Sequence, residues 1–137
     1  GAEPAARVRA LAGRPGVRVL GHVTDLNAAL NESTVFVAPL RFAAGVQNKV
    51  LEAMAAGLPV VTTAEVNAGL RATPGEHLLV AEDDETLAAL TIDLLRDPAQ
   101  RARLAAAGRE FVLRDFRWEA VAERMREVAA RIASGQA

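Results

Sequence analysis

Residues 34–63 read TVFVAPLRFAAGVQNKVLEAMAAGLPVVTT and decide the fold class of this chain. The run Thr34–Pro39 is β-branched and aromatic with almost no polar residue, which is typical of a strand covered on both faces. Residues Gln47–Ala56 then carry apolar side chains at helical spacing, and Gly57 is a typical helix stop. A second short apolar run, Pro59–Thr62, predicts another buried strand. The stretch is therefore a strand, helix and strand of a parallel sheet.

Helical and strand patterns alternate on both sides of this unit as well. Further strands are predicted over Val17–Val23 and His77–Ala81, and the segment Thr63–Gly75 is expected to be irregular. Further helices are predicted over Pro4–Leu11, from Leu26 to about Asn31, from Asp83 or Asp84 to about Arg96, from Pro98 to about Leu113, and over Trp118–Ala133. The alternation predicts an α/β domain with an open parallel sheet and flanking helices.

Length and composition restrict the class of protein. The 137 residues amount to one domain, and 51% hydrophobic with 24% charged residues is ordinary for a globular fold, which excludes a disordered or collagen-like chain. The longest stretch without a charge, Ala53–Ala64, is too short and too interrupted to span a bilayer. A net charge of −1 gives no overall electrostatic attraction to nucleic acid, so no nucleic-acid partner is expected.

The kinds of reactive residue present narrow the chemistry further. The chain has no cysteine, which excludes disulfides, thiolate metal sites and cysteine nucleophiles and fits a reducing compartment. We therefore expect a cytoplasmic protein, and the first twelve residues do not resemble a signal peptide. Arginine is the default cation of this chain, so the single lysine, Lys49, stands out. No Asp-x-Asp cluster is present, and Asp83 with Asp84 is interpreted as a helix cap, so no metal is required.

One loop has the composition of a ligand site. In open parallel sheets, ligands lie beyond the carboxyl ends of the strands, where loops enter helix N-termini. Residues 40–46 form such a loop, and small side chains around Gly45 would let backbone N–H groups approach an anion. Lys49 falls in the first turn of the next helix, where a phosphate would offset its repulsion from the helix dipole, and Glu52 follows on the same face. Spacing alone leaves open the alternative that Lys49 and Glu52 form an ordinary surface pair.

The same residues resemble a known family. Val35–Arg41 and Ala44–Thr63 are similar to the C-terminal half of GT-B glycosyltransferases, and more narrowly to the large retaining family four, also called group 1. The flanking segments agree with the resemblance at Val19–Leu26, Gly75–Ala81, Asp97–Pro98, Arg101, Leu104, Phe116 and Trp118. The resemblance covers essentially the whole chain and implies a Rossmann-like domain that binds a nucleotide-sugar donor.

The resemblance also implies roles for matched positions. Glu52 is expected to accept hydrogen bonds from the ribose hydroxyls, and the amides around Gly45, Val46 and Gln47 are expected at the diphosphate. The backbone near Gly21 lies by the nucleobase in such enzymes, and His22 is either a contact to the base or an ordinary loop histidine. The implied catalytic residues are Lys49 and Glu52, and the implied donor-binding residues are Gly21, His22, Gly45, Val46, Gln47, Asn48, Lys49 and Glu52. The donor would be a UDP-, GDP- or ADP-sugar, with no cofactor and no metal.

Two departures from the family pattern qualify these expectations. Ala44 stands where the paired-glutamate motif has its first glutamate, which puts recognition of the sugar by that carboxylate in doubt. The chain also begins after the family domain's first strand, helix and second strand, so strands at Val17–Leu20 and Val35–Ala38 would flank a gap. We therefore expect a partial domain, over residues 1–137, that is not catalytically competent alone. Its expected partners are the N-terminal GT-B domain, through which it would meet the inner membrane, or a second copy by self-association or a domain swap.

Three classes of function follow. The first is a glycosyltransferase of the hexosyltransferase type, which moves a sugar from a nucleotide diphosphate to an acceptor with retention, in polysaccharide or glycoconjugate synthesis. The second is a non-catalytic nucleotide-binding or assembly module with the same half-domain shape, which Ala44 favours. A receiver-like or dinucleotide-binding domain is disfavoured, because the strand ends carry Pro39 and Thr62 and the dinucleotide fingerprint is absent.

Overall fold

Among the residues that the structure describes, three parallel strands form one sheet, in the order β1 (Phe36–Ala38), β2 (Val60–Thr63) and β3 (Leu79–Ala81). Ala38 of β1 lies opposite Thr62 of β2, and Thr62 lies opposite Val80 of β3. All three strands therefore end at the same edge of the sheet. The observed sheet confirms the predicted α/β class and three of the four predicted strands.

Helices connect and cover these strands. Their bounds are α1 (Ala6–Arg9) followed by a 3-10 turn (Ala10–Gly13), α2 (Leu26–Asn31), α3 (Asn48–Ala55), α4 (Ala64–Leu70), α5 (Asp84–Arg96) and α6 (Pro98–Asp115). Helix α3 joins β1 to β2, and α4 with the following loop joins β2 to β3. Within the described chain, α3, α5 and α6 match the predicted helices to within about two residues.

The structure is a computed structural model that describes residues 3–119, 122, 123, 125, 126 and 131. It consists of two units, one ending at Glu32 and the other beginning at Ser33. The predicted helix over Trp118–Ala133 falls largely outside the described residues. Among the described helices, none has both the length and the apolar character that crossing a bilayer requires.

The second unit buries its core between the sheet and the helices. Val61 and Leu79 of the sheet pack with Leu94 of α5 and Leu104 of α6, and three of these four side chains have no exposed surface. The buried face of α3 consists of Val50, Ala53 and Met54. This burial fixes which face of α3 points away from the core, and that outer face carries the candidate site.

The end of α3 also follows from its sequence. Gly57 has a φ of +79° and its N–H donates to the Met54 carbonyl at 3.0 Å, while the Leu58 N–H donates to the Ala53 carbonyl at 3.0 Å. This pair of bonds is the usual glycine-dependent helix stop, and it turns the chain directly into β2.

Residues Val17–Val23 do not form the predicted strand. They have no regular secondary structure apart from a bend at His22, and in the described chain no strand pairs with them. A short apolar run forms a strand only when a neighbouring strand accepts its backbone hydrogen bonds, and its composition alone does not provide one. Leu20 is accordingly 61% exposed. The strand predicted over Val17–Val23 is therefore wrong.

The segment after β2 was expected to be irregular, and that expectation is also wrong in part. Residues Ala64–Leu70 form α4, although Asn67 and Gly69 are poor helix formers. Val66 and Leu70 are buried, with 0% and 2% of their surface exposed. Tertiary packing of these two side chains outweighs the weak propensity of the segment.

Candidate functional site

The loop between β1 and α3 leaves the sheet at the edge where the three strands end. It contains the predicted site residues Gly45, Val46 and Gln47 and leads into Asn48, Lys49 and Glu52 of α3. The structure therefore brings together these six of the eight predicted donor-binding residues. Placement at the carboxyl edge of a parallel sheet is where open α/β folds bind ligands.

Side chains of β2 hold the first part of this loop. The Thr63 hydroxyl donates to the Leu40 carbonyl at 2.6 Å, and the Thr62 hydroxyl donates to the Ala38 carbonyl at 3.0 Å. Arg41 then forms an exposed ion pair with Asp84, the first residue of α5. The loop is thus attached to both neighbouring connections at this edge.

A run of unpaired backbone amides follows. Gly45 has a φ of +65°, a conformation that favours glycine, and it turns the chain toward α3. Among the hydrogen bonds of the described residues, none has the N–H groups of residues 45–49 as donors. Intrahelical bonding begins only at Val50, whose N–H donates to the Gln47 carbonyl at 2.9 Å. Five successive amides are therefore unpaired within the described chain, and unpaired amides at a helix N-terminus favour an anion.

None of the described acidic side chains caps the N-terminus of α3. Gln47 is the N-cap residue, but its side chain makes no capping hydrogen bond and instead donates to the Ala44 carbonyl at 3.4 Å. The first turn of α3 contains no acidic residue. The positive end of the helix dipole is thus uncompensated by the described residues.

Three other helices of the described chain have aspartate caps. Asp25, Asp83 and Asp97 accept hydrogen bonds from the backbone of α2, α5 and α6 at 2.9, 2.7 and 2.9 Å. The Thr86 N–H and hydroxyl hold the pKa of Asp83 below its ordinary value, because both stabilise the ionised carboxylate. This confirms the interpretation of Asp83 as a helix cap.

Lys49 and Glu52 lie exposed on the outer face of α3. None of the ion pairs of the described residues includes either side chain. The structure therefore does not contain the ordinary surface pair that spacing left open. An ammonium group and a carboxylate one turn apart, beside unpaired amides, can bind a ligand that has both negative charge and hydroxyl groups.

Gly21 and His22 belong to the first unit. Gly21 has a φ of +66°, and His22 is exposed. A shallow cavity of about 300 Å³ lies beside this segment, lined by Pro4, Arg9, Ala12, Val19, Leu20 and Gly21. Its partly apolar wall is compatible with a flat ring, and the roles of Gly21 and His22 stay predictions.

The second histidine has a structural role. His77 Nδ1 accepts a hydrogen bond from the Thr73 N–H at 3.0 Å, and its ring stacks on Phe111 with 4.6 Å between centroids. Its side chain is only 12% exposed. These contacts indicate a structural role for His77.

The neighbouring part of the same edge is acidic. A groove of about 630 Å³ is lined by Arg41, Thr63, Glu65, Glu82, Asp83, Asp84 and Glu85. The groove has five acidic side chains and one arginine, so its negative charge disfavours the binding of a polyanion there. In the described chain no cluster of His, Cys, Asp or Glu side chains has the geometry of a metal site.

Sequence reasoning did not find Thr63, the Arg41–Asp84 pair or the acidic groove. The bonded residues are 23 and 43 positions apart, and such contacts follow from the register of the sheet. The one available signal was the position of Thr63 and Glu82 directly at or after strand ends.

Comparison with known proteins identifies a family and two similar relatives. Residues 1–97 match the family described as Glycosyl transferases group 1. The chain is 37% identical over 123 residues to a phosphatidyl-myo-inositol mannosyltransferase of Mycobacterium leprae, covering 86% of this chain and 32% of that protein. It is 39% identical over 79 residues to a GDP-mannose-dependent monoacylated alpha-(1-6)-phosphatidylinositol monomannoside mannosyltransferase of Corynebacterium glutamicum, covering 57% of this chain and 21% of that protein.

A solved structure agrees with these relatives. Sucrose-phosphate synthase from Thermosynechococcus elongatus superimposes with a TM-score of 0.63 at 30% identity, over 75% of this chain and 26% of that one. The chain spans less than a third of the length of each of these three proteins.

Proposed function

The chain belongs to the group 1 glycosyl transferases, with the Rossmann-like half of a GT-B fold, and from this premise we propose that it binds a nucleotide-sugar donor. The proposed activity of the whole protein is transfer of a hexosyl group from a nucleotide diphosphate to an acceptor, with retention at the anomeric carbon. The product would belong to polysaccharide or glycoconjugate synthesis. Retention is proposed from the resemblance to the retaining family.

One observation carries the proposal. The N–H groups of residues 45–49 have no acceptor among the described residues, and Lys49 stands within the same turn. A diphosphate can accept several of these N–H groups at once and gains further from the dipole of α3 and the charge of Lys49. A neutral ligand would gain much less from the same arrangement.

The remaining residues are proposed to contact different parts of the donor. Glu52 lies three residues after Lys49 on the exposed face of α3, where its two carboxylate oxygens can accept both ribose hydroxyls. When the sugar leaves, negative charge develops on the diphosphate, and Lys49 with the loop amides would stabilise that charge. Gly21 and His22 are proposed at the base. No metal is needed in this arrangement.

The proposed donor is a GDP-sugar. One relative is described as GDP-mannose-dependent, and both curated relatives are mannosyltransferases. UDP and ADP donors are the alternatives. The acidic groove beside the diphosphate region can accept hydroxyl groups of a sugar, which fits a neutral hexose such as mannose better than an anionic sugar.

Titration calorimetry tests the proposal. GDP, UDP, ADP and their sugar conjugates are titrated into the chain, beside the unphosphorylated nucleosides. We expect saturable binding of one base class, weakened by Lys49→Ala and by Glu52→Ala. The matched controls are Arg109→Ala and Glu110→Ala, which remove the same charges from the exposed face of α6 and should leave the affinity unchanged. Equal loss in the controls, or no binding of any diphosphate, would contradict the proposal.

A non-catalytic nucleotide-binding module is the second candidate. Ala44 favours it, because the position holds no carboxylate for the sugar. The two candidates differ in turnover and not in donor binding. Transfer of radiolabelled sugar from the donor by the whole protein distinguishes them, since a non-catalytic module would bind GDP and release no labelled product.

The proposed partners are the donor, the N-terminal GT-B domain and a second copy of this chain, and the proposed location is the cytoplasm, at the inner membrane through the other domain. β1 is an edge strand of the described sheet, and an edge of this kind can pair with a further strand. Self-association is tested by sedimentation of the chain over a range of concentrations. A monomer at every concentration would exclude it.

A further inference from the structure

Helix α4 approaches the backbone of the candidate loop at a glycine. A Cβ atom placed on Gly69 would lie 2.3 Å from the Gly45 carbonyl oxygen, 2.7 Å from its carbonyl carbon and 3.2 Å from the Val46 nitrogen. All three contacts are to backbone atoms, which cannot move aside as a flexible side chain can. Any side chain at position 69 must therefore displace either α4 or the loop.

Neither partner of this contact can shift without cost. The side chains of Val66 and Leu70 are buried and hold α4 in place. Val66 lies three residues before Gly69, and Leu70 lies one residue after it. On the loop, the Leu40 carbonyl accepts the Thr63 hydroxyl at 2.6 Å, and Thr63 is the last residue of β2. The loop is thus held at its start by Thr63 and at its end by Gly69. The loop is less buried than α4, so a clash at position 69 displaces the loop and not the helix.

We propose that Gly69 and Thr63 are positioning residues, which fix the unpaired amides of residues 45–47 at the distance and direction that a diphosphate requires. The part of this inference that concerns the ligand rests on the proposed donor site. The part that concerns the loop does not, because it can be observed in the unliganded protein.

Helix propensity makes the opposite prediction for Gly69. Alanine normally stabilises a helix relative to glycine, so a glycine without a packing role should be improved by Gly69→Ala. Gly108 in α6 is a matched control, because its Cβ would lie 2.7 Å from the His77 carbonyl oxygen. Gly108→Ala therefore introduces the same kind of clash away from the loop.

The test combines two measurements on both variants. In ¹H–¹⁵N spectra of the unliganded chain, Gly69→Ala should shift the amide signals of residues 44–48, and Gly108→Ala should leave them in place. In titrations, Gly69→Ala should weaken GDP binding on the order of tenfold without changing the affinity for guanosine, since a displacement of about 1 Å is enough for such a loss. Gly108→Ala should lower Tm but leave the GDP affinity within about twofold.

Thr63 provides a second pair of variants, which decides the matter if Gly69→Ala does not fold. Thr63→Val removes the hydroxyl at nearly constant shape, and Thr63→Ser keeps it. We expect Thr63→Val to shift the signals of the loop and to weaken GDP binding. Thr63→Ser should keep both the loop signals and the GDP affinity of wild type. A valine variant that equals the serine variant in both measurements would overturn the inference.

The inference and the proposed function fail in different ways. Unchanged loop signals together with a higher Tm in Gly69→Ala would overturn the inference, whatever the chain binds. If the wild-type chain binds no GDP, UDP or ADP, the proposed donor site fails, and the loop signals of the four variants still decide whether Gly69 and Thr63 position the loop.

Discussion

The N-terminus of α3 and the N-termini of α5 and α6 differ in what satisfies their first backbone N–H groups. Asp83 and Asp97 cap α5 and α6 with hydrogen bonds of 2.7 and 2.9 Å. Gln47 caps α3 with no side-chain hydrogen bond, and the N–H groups of residues 45–49 have no acceptor among the described residues. Helix α5, like α3, begins just after a strand ends at the carboxyl edge of the sheet, so position in the fold does not explain the difference between these two helices.

Under the proposed function, this difference separates the stability of a helix end from its ability to bind an anion. An aspartate at the N-cap stabilises a helix by about 1 kcal/mol, and it also repels any other anion from that end. A helix that is to bind a diphosphate has to do without this stabilisation. The burial of Val50, Ala53 and Met54 provides it for α3 instead.

Removing Glu52 should have the largest effect on ligand binding. Glu52→Ala loses two hydrogen bonds between a carboxylate and the ribose, which corresponds to a loss in GDP affinity of about 100-fold. The sharpest measurement uses 2′-deoxy-GDP and 3′-deoxy-GDP. Wild type should discriminate against both ligands, and the variant should bind them as it binds GDP. Undiminished discrimination in the variant would place the ribose elsewhere.

Removing Lys49 should have the next largest effect. Lys49→Ala takes one cation from the diphosphate, for which we expect about tenfold weaker GDP binding. The loss should be smaller for GMP, and the salt dependence of GDP binding should become flatter, because exposed charges are screened by salt. Titrations at 50 and 300 mM NaCl, conditions chosen to span about 14 to 6 Å of screening length, measure this. An unchanged salt dependence would exclude contact between Lys49 and the phosphates.

Giving α3 an aspartate N-cap like that of α5 should remove the difference between the two helix ends. The Gln47 backbone has φ −93° and ψ 100°, which suits an aspartate N-cap. Gln47→Asp should therefore raise the free energy of unfolding by about 1 kcal/mol and weaken GDP binding several-fold. Chemical denaturation and titration measure the two effects, and Gln47→Asn separates the cap from its charge. A variant that gains stability and keeps its GDP affinity would mean that the anion does not lie at this helix end.

The aspartate cap of α5 should produce the smallest effect, visible mainly as a dependence on pH. The pKa of Asp83 is lowered in the folded state by its bonds to Thr86. Its contribution to stability is therefore fully present above the unfolded pKa of about 3.9 and is lost as the pH falls through the lower, folded value. Asp83→Asn should flatten the decrease in Tm below about pH 4 and leave GDP binding at neutral pH unchanged. A decrease in Tm as steep as that of wild type would show that other carboxylates control it.

Much of the fold could be predicted because local signals and packing agree. Thr34–Pro39 and Pro59–Thr62 have strand composition and do form β1 and β2 within about two residues. Asp83 and Asp97 cap the two long helices as their positions predict. Predictions failed where the local composition and the tertiary contacts favour different structures. Val17–Val23 has the composition of a strand, but no strand of the described chain pairs with it. Ala64–Leu70 has poor helix propensity but two buried side chains.

The candidate site could be predicted only in the part that is local in sequence. Gly45, Lys49 and Glu52 lie within eight positions, so spacing placed them on one loop and one helix face. The contacts that hold the loop join residues from different elements, as Thr63 with Leu40 and Gly69 with Gly45 show. These depend on the register of the sheet and on the path of α4, which the sequence did not predict.

Mapping GDP onto the chain by ¹H–¹⁵N spectra tests the central claim most directly. GDP is added to saturation, with guanosine in a parallel titration, and the amide signals of α3 and α5 are compared. The account predicts that the largest shifts caused by GDP and not by guanosine occur at residues 45–49, while the amides of residues 84–86, at the aspartate-capped end of α5, stay in place. Saturable binding of GDP that leaves residues 45–49 unshifted would contradict it.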